Sequence, residues 1–136
     1  MSRQYWEETL AWATASGAAV AATITETILF PNVTIPANYL QDGRSLRIRA
    51  IGQHSTAGSG TVTLLFGLRW GGVGGTILCK SAAITQLISL TAAVWDLDII
   101  LTTRSNGASG TVMANGIARV YEATAPTIGS TPTPST

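Results

Sequence analysis

The sequence contains few charged residues, one cysteine and one histidine. Charged residues make up 11% of its 136 positions, against about 25% in an average globular protein. The net charge is only +1, so the chain lacks the basic patch with which nucleic-acid-binding proteins collect phosphates. Cys79 alone cannot form an intrachain disulfide, and a single histidine, His54, excludes a three-histidine zinc site. We therefore expect no nucleic-acid partner and no cofactor.

Long apolar runs are missing as well. No stretch reaches the ~18 apolar residues of a membrane span. Glu7 and Glu8 precede the alanine-rich residues 10–22, where a signal peptide would carry positive charge. We expect a soluble protein with no membrane partner. Hydrophobic residues nevertheless make up 46% of the chain, and this composition favours a surface that is covered by neighbouring subunits.

Alternating apolar and polar residues predict an all-β fold. Residues 45–51 place Leu46 and Ile48 on one side and Arg47 and Arg49 on the other, which is the period of a half-exposed strand. Turn signals recur roughly every 8–15 residues, which is typical of an antiparallel β-sandwich or barrel. The other predicted strands are residues 19–30, 61–70, 76–79, 91–102 and 111–121, and residues 81–90 are ambiguous.

A glycine cluster, residues 71–75, separates two of these predicted strands. It resembles a phosphate-binding loop only superficially, because it lacks the GK[ST] ending and no helical pattern follows. Glycines here favour a tight turn between strands. Trp70, at the start of the turn, either caps the core or stacks on a sugar ring. Asn106-Gly107 is the usual hairpin dipeptide, and Asn115-Gly116 is a candidate bulge.

The two ends of the chain differ from the predicted sandwich domain of residues 19–122. Residues 1–18 form an extended N-terminal arm whose aromatic side chains either cover one end of the sandwich or dock on a neighbouring subunit. We predict that residues 123–136 form an extended tail, because their proline and threonine residues cannot build a core element. The residues that we expect to contact a partner are Tyr5, Trp6, Trp12, Pro126, Pro132 and Pro134.

Four charged residues have matching spacing on two predicted strands. Arg47 and Arg49 are two residues apart, as are Asp96 and Asp98. A cross-strand ladder of opposite charges explains all four residues, and we prefer it to a calcium site or a catalytic carboxylate pair. His54 lies beside a glycine-rich loop, and one histidine is weak evidence for a catalytic triad. The residues alone indicate a protein that is not an enzyme.

Three blocks of the sequence together resemble one protein family. They are ETILFPNVTIPANYLQDGRSLRIRAIG, LRWGGVGGTILCKSAAIT and TTRSNGASGTVMANG, and they span residues 26–116. The shared patterns are FPxxxIPAN followed by DGR, RWGG followed by GT, and RSNG followed by SGT and MANG. In this combination the chain resembles a family of small virion structural proteins of tailed bacteriophages.

The resemblance implies a jelly-roll-like sandwich that has no enzymatic activity. It implies a capsid decoration, or cement, protein that binds the major capsid protein and itself as a homotrimer. Such a protein is made in the cytoplasm of the bacterial host and lies on the outer surface of the capsid. The alternative is a receptor- or glycan-binding head domain of a phage fibre or tail appendage.

Overall fold

The structure, a computed structural model, describes residues 8–15, 17, 19–21 and 23–122. Every regular element in this part of the chain is a β-strand, and all strand pairs are antiparallel. The described residues include no helix long and apolar enough to cross a membrane. The strands are β1 (Ser45–His54), β2 (Val62–Leu64), β3 (Gly67–Trp70), β4 (Thr76–Lys80), β5 (Ile84–Gln86), β6 (Ala93–Ser105) and β7 (Thr111–Val120).

The three long strands form one sheet in the order β1-β6-β7. Leu46 of β1 lies opposite Leu101 of β6, and Ala50 lies opposite Leu97. Exposed and half-buried residues alternate along the whole of β1, because successive side chains point to opposite faces of a sheet. The predictions for residues 45–51, 91–102 and 111–121 are confirmed, with strand ends that differ by a few residues.

The four short strands form a second layer. Together they make one hairpin whose strand pairing is interrupted once. β2 pairs with β5 and β3 pairs with β4, so residues 61–70 do not form the single predicted strand. The interruption falls at Leu65 and Phe66. There the Ser81 amide donates to the Phe66 carbonyl at 2.9 Å, and the Phe66 amide donates to the Ser81 hydroxyl at 3.0 Å. The serine side chain thus replaces a backbone partner where the ladder is broken.

The two layers pack together around Trp95, near the start of β6. The Trp95 ring is 5.0 Å from the Phe66 ring of the hairpin and 6.2 Å from the Phe30 ring, which meets it edge-on. Edge-to-face and tilted contacts of this kind suit the aromatic quadrupole. The all-β prediction, with antiparallel sheets that pack together, is confirmed. The buried hydrophobic residues are Ala93, Trp95, Leu101 and Val120, and the buried polar residues are Gln86 and Thr103.

The glycine cluster between β3 and β4 is a tight turn, as predicted. Gly71, Gly72 and Gly74 have φ between +80° and +88°, a backbone region that glycine adopts without steric strain. Position 75 requires glycine for another reason. A Cβ atom there would lie 2.0 Å from the Trp70 carbonyl oxygen.

The strand predicted for residues 19–30 is absent from the part of that segment that the structure describes, and the prediction is wrong. Threonine side chains there bond to the backbone two residues away: the Thr23 hydroxyl accepts from the Thr25 amide at 2.9 Å, and the Thr27 hydroxyl donates to the Thr25 carbonyl at 3.1 Å. Such local bonds compete with a strand ladder. High β-propensity was therefore insufficient without a partner strand.

The bulge predicted at Asn115-Gly116 is also wrong, since the β6–β7 register is regular there and shifts only between Thr103 and Ser105. Gly116 has a different reason to be glycine. A Cβ atom at this position would lie 2.6 Å from the Asp98 carbonyl oxygen. The glycine lets β7 approach β6 closely.

Candidate interaction surface

The face of the sheet that points away from Trp95 carries a group of ion pairs. Asp98 on β6 accepts two hydrogen bonds from Arg47 on β1, from Nε at 2.9 Å and from Nη2 at 2.5 Å. Arg49 Nε lies 4.0 Å from the same carboxylate. Paired donors from one guanidinium fix the geometry of both side chains. The structure thus brings together three of the four residues of the predicted ladder.

Asp96 has a partner that the sequence interpretation missed. Its carboxylate accepts a hydrogen bond from Arg119 of β7 at 2.6 Å, because the register places Asp96 opposite Arg119 on one side and Ile51 on the other. The charges therefore span all three strands. Alternation alone identified the face, but only the strand order shows which arginine lies beside which aspartate.

The ion pairs shift the acid-base properties of this face. The hydrogen bond from Arg47, opposed by partial burial, holds the pKa of Asp98 below its ordinary value of 3.8. Burial and the neighbouring Asp96 carboxylate raise the pKa of Tyr121 above its ordinary value of 10.0. Asp98 therefore stays ionised to a lower pH than an ordinary aspartate, and Tyr121 stays neutral to a higher pH than an ordinary tyrosine.

Large apolar side chains lie exposed beside these charges. Ile100 of β6 is opposite Asn115 of β7, and Met113 and Ile117 lie two residues before and after Asn115 on the same face. Their exposed fractions are 51%, 63% and 55% for Ile100, Met113 and Ile117. We call these three residues the outer apolar patch. A contiguous exposed cluster of this kind is typical of a docking surface.

The described part of the N-terminal arm touches the domain and leaves a tryptophan uncovered. The Tyr39 hydroxyl donates to the Glu8 carboxylate at 2.5 Å, and this bond raises the pKa of Tyr39. Gly17 packs so closely on the Leu29 carbonyl that a Cβ atom would lie 2.1 Å from its oxygen. Trp12, between these anchors, is 78% exposed. The other predicted contact residues lie outside the described residues: Tyr5, Trp6, Pro126, Pro132 and Pro134.

A second exposed tryptophan lies at the glycine turn. Trp70 ends β3 and is 48% exposed. The preceding residue, Arg69, ties the turn together: its guanidinium donates to the Gly75 carbonyl at 2.6 Å and to both carboxylate oxygens of Glu26, with Nη2 to Oε2 at 2.6 Å. Glu26 was missed in the sequence interpretation. Its hydrogen bond from Arg69 lowers its own pKa below the ordinary 4.5.

His54 is the last residue of β1, and its side chain lies partly within the fold. Its Nε2 is 3.2 Å from the Gln86 side-chain oxygen, which joins the end of β1 to the end of β5. In the described ranges no group of three or more histidine, cysteine, aspartate or glutamate side chains is placed to hold a metal ion. Cys79 is half-buried, and burial raises the pKa of its thiol.

No family model, curated protein or solved structure matches the chain. The resemblance to phage virion proteins therefore stays a prediction from its three sequence blocks.

Proposed function

We propose that the chain is a non-enzymatic phage virion structural protein that decorates the outer surface of the capsid. The observation that carries the proposal is an imbalance between buried and exposed apolar side chains. Among the described residues, four hydrophobic side chains are buried, whereas sixteen large ones are exposed. A subunit whose apolar surface is completed by neighbouring subunits has this property.

In this role the protein acts mechanically. Each copy binds the major capsid protein and other copies of itself, and adds buried area at a junction of the lattice. Standard protein contacts bury about 1,600 Å², and many such contacts stabilise a shell without high affinity at any one of them. The two packed layers would then be a jelly-roll-like variant of the sandwich.

The copy number of the chain in purified virions tests this function. A decoration protein should be present in numbers comparable to the major capsid protein, which gel densitometry measures. A count of only a few to tens of copies would contradict the proposal. So would particles lacking the protein that withstand heat and chelator as well as complete particles do.

A receptor- or glycan-binding head domain of a fibre or tail appendage is the second candidate. The observation in its favour is Trp70, which is half exposed beside a turn that Arg69 holds in place. Aromatic rings present such a face to sugars. Glycan-array binding that Trp70→Ala abolishes, together with a low copy number, would favour this candidate. The Val73→Ala variant is the control, because Val73 lies in the same turn and is also exposed.

A further inference from the structure

Strand β7 has an unpaired edge. The Tyr121 amide donates to the Val94 carbonyl at 2.8 Å, so in the regular ladder the odd-numbered residues of β7 direct their N–H and C=O groups toward β6. The even-numbered residues direct theirs away from the sheet. Among the described residues no strand is hydrogen-bonded to β7 on that side. The backbone groups aimed at it belong to Val112, Ala114, Gly116 and Ala118.

The two edges of the sheet differ in how they are protected. Proteins commonly place charged residues or proline on an edge strand to prevent pairing with another chain. The opposite edge, β1, carries Arg47 and Arg49 at exposed positions. By contrast, residues 111–118 of β7, TVMANGIA, contain no charge and no proline. The β7 edge is therefore open to strand pairing, and an uncharged strand can lie against its own copy without like-charge repulsion.

We propose that β7 pairs with β7 of a second copy, antiparallel about a two-fold axis that passes beside Asn115. In this register Ala114 forms a hydrogen-bonded pair with Gly116 of the second copy, and Val112 forms one with Ala118. These are the residues whose backbone groups point outward. The hydrogen-bonding requirement and the register thus agree.

The side chains select this register from its neighbours. With Asn115 at the axis, Met113 faces Ile117 of the second copy in a non-hydrogen-bonded pair, where side chains lie closest. Moving the two-fold axis from Asn115 to Gly116 would place Met113 opposite Arg119. Moving it to Ala114 would place Ile117 opposite Thr111. Of these three registers, only the central one pairs Met113 with Ile117, the two exposed apolar side chains on this face of β7.

Pairing also joins the outer apolar patches of the two copies. Met113 and Ile117 lie on the edge strand β7, and Ile100 lies on the adjacent strand β6. The patch of one copy would therefore continue across the axis into that of the other. Arg119 keeps its bond to Asp96 and meets only Thr111 of the second copy. The association therefore covers exposed apolar surface and brings no like charges together.

A cysteine pair tests the register directly. Residues of a non-hydrogen-bonded antiparallel pair have Cα atoms about 4.5 Å apart, within the range of disulfide geometry. In a Cys79→Ser background, we expect Asn115→Cys to form a disulfide-linked dimer on mild oxidation. Met113→Cys, which faces Ile117 rather than itself, should remain largely unlinked. The double variant Met113→Cys/Ile117→Cys should link. Equal linking of both single variants, or none by Asn115→Cys, would overturn the register.

Lysine substitutions on the two edges test the association in the unmodified chain. We expect light scattering to give twice the chain mass for the wild type, the chain mass for Ile117→Lys, and twice the chain mass for Ile51→Lys. Ile51 is a matched control because it lies on the same face of the sheet, on β1, and is 77% exposed. Circular dichroism checks that each variant is folded.

Three other outcomes would overturn the proposal. Wild-type protein that is monomeric at all concentrations but dimerises after removal of residues 123–136 would show that the chain's own tail covers β7. A trimer that Ile117→Lys leaves intact would favour a three-fold assembly that does not use β7. Loss of the dimer in Ile51→Lys would place the contact elsewhere. All these measurements use the purified chain, so they are independent of the virion copy number that tests the proposed function.

Discussion

Gly52 of β1 lies directly opposite Trp95 of β6, and no side chain fits between them. A Cβ atom at Gly52 would lie 2.3 Å from Cζ2 of the indole ring and 2.6 Å from Cε2. Trp95 is 5% exposed, and its ring also contacts Phe66 and Phe30. The absence of one side chain on β1 therefore makes room for the largest side chain in the core.

We expect Gly52→Ala to destabilise the fold by about 1–3 kcal/mol, which is the usual effect of overpacking a core. The new methyl group overlaps a ring that is held on two sides by other aromatic rings, so the indole cannot move without losing those contacts. Urea unfolding followed by tryptophan fluorescence measures the change.

Gly67→Ala is the matched control for this prediction. Gly67 also lies in a strand, β3, but the nearest atom to its Cβ position is the Cys79 carbonyl oxygen at 4.0 Å. We expect little change in its free energy of unfolding. Equal effects of the two substitutions would show that glycine flexibility, rather than contact with Trp95, determines stability.

The sequence was sufficient to predict the strands that have one buried face. The alternation in β1 and around Trp95 in β6 reflects burial on one side only, which any partner strand would produce. The broken hairpin was not predictable in the same way. Its interruption depends on the Ser81 hydroxyl reaching the Phe66 amide, a contact between residues far apart in the chain.

Charge spacing likewise predicted the ionic face but not its pairs. Arg47 and Asp98 lie together because β1 and β6 are neighbours, and Asp96 bonds to Arg119 because β7 lies on the other side. Strand order is a property of the whole fold, which local patterns do not encode. The exposed apolar side chains of β7 had a local signal that was overlooked, an uncharged run with apolar residues on both faces.

Acid should weaken the fold through Asp98. Its pKa is lowered in the folded chain by the bond from Arg47, so its contribution to stability is complete above the ordinary value of 3.8 and is lost as pH falls through the lower folded-state value. We expect the free energy of unfolding of Asp98→Asn to depend less on pH than that of the wild type below about pH 4. Denaturant titrations at several pH values measure this difference.

Asp42→Asn provides the control for the acid prediction, because Asp42 is an exposed carboxylate in the turn before β1. Its pH profile should follow that of the wild type. An Asp98→Asn profile that is as steep as the wild-type profile would mean that the Arg47 bond contributes no pH-dependent stability.

The glycine turn should depend on the shape of the Arg69 side chain. A planar guanidinium reaches the Gly75 carbonyl and both Glu26 oxygens together, whereas a lysine ammonium offers a single point of charge. We expect Arg69→Lys to lower the melting temperature and to speed amide hydrogen exchange in residues 71–75. Arg104→Lys, at an exposed position near the end of β6, should change neither quantity.

If the chain decorates capsids, Trp12 should contribute to attachment rather than to folding. At 78% exposure, its truncation should change the free energy of unfolding by no more than about 0.5 kcal/mol. An interface tryptophan often contributes 2 kcal/mol or more to binding, so we expect Trp12→Ala to bind undecorated particles at least about tenfold more weakly. Trp12→Phe, which keeps an aromatic ring, should bind more nearly as the wild type does. A Trp12→Ala variant with a clearly lower free energy of unfolding would contradict this prediction.

Removal of residues 123–136 should separate folding from attachment in a similar way. β7 ends at Val120, and the Tyr121 amide is already bonded to Val94, so a chain that ends at Glu122 keeps every strand that the structure describes. We expect its unfolding curve to match that of the full chain and its binding to particles to be weaker. A full-length variant with serine at positions 126, 132 and 134 tests whether the prolines themselves are needed, because an extended proline-containing segment loses less conformational entropy on binding. Undiminished binding by the truncated chain would exclude the tail as a contact with the capsid.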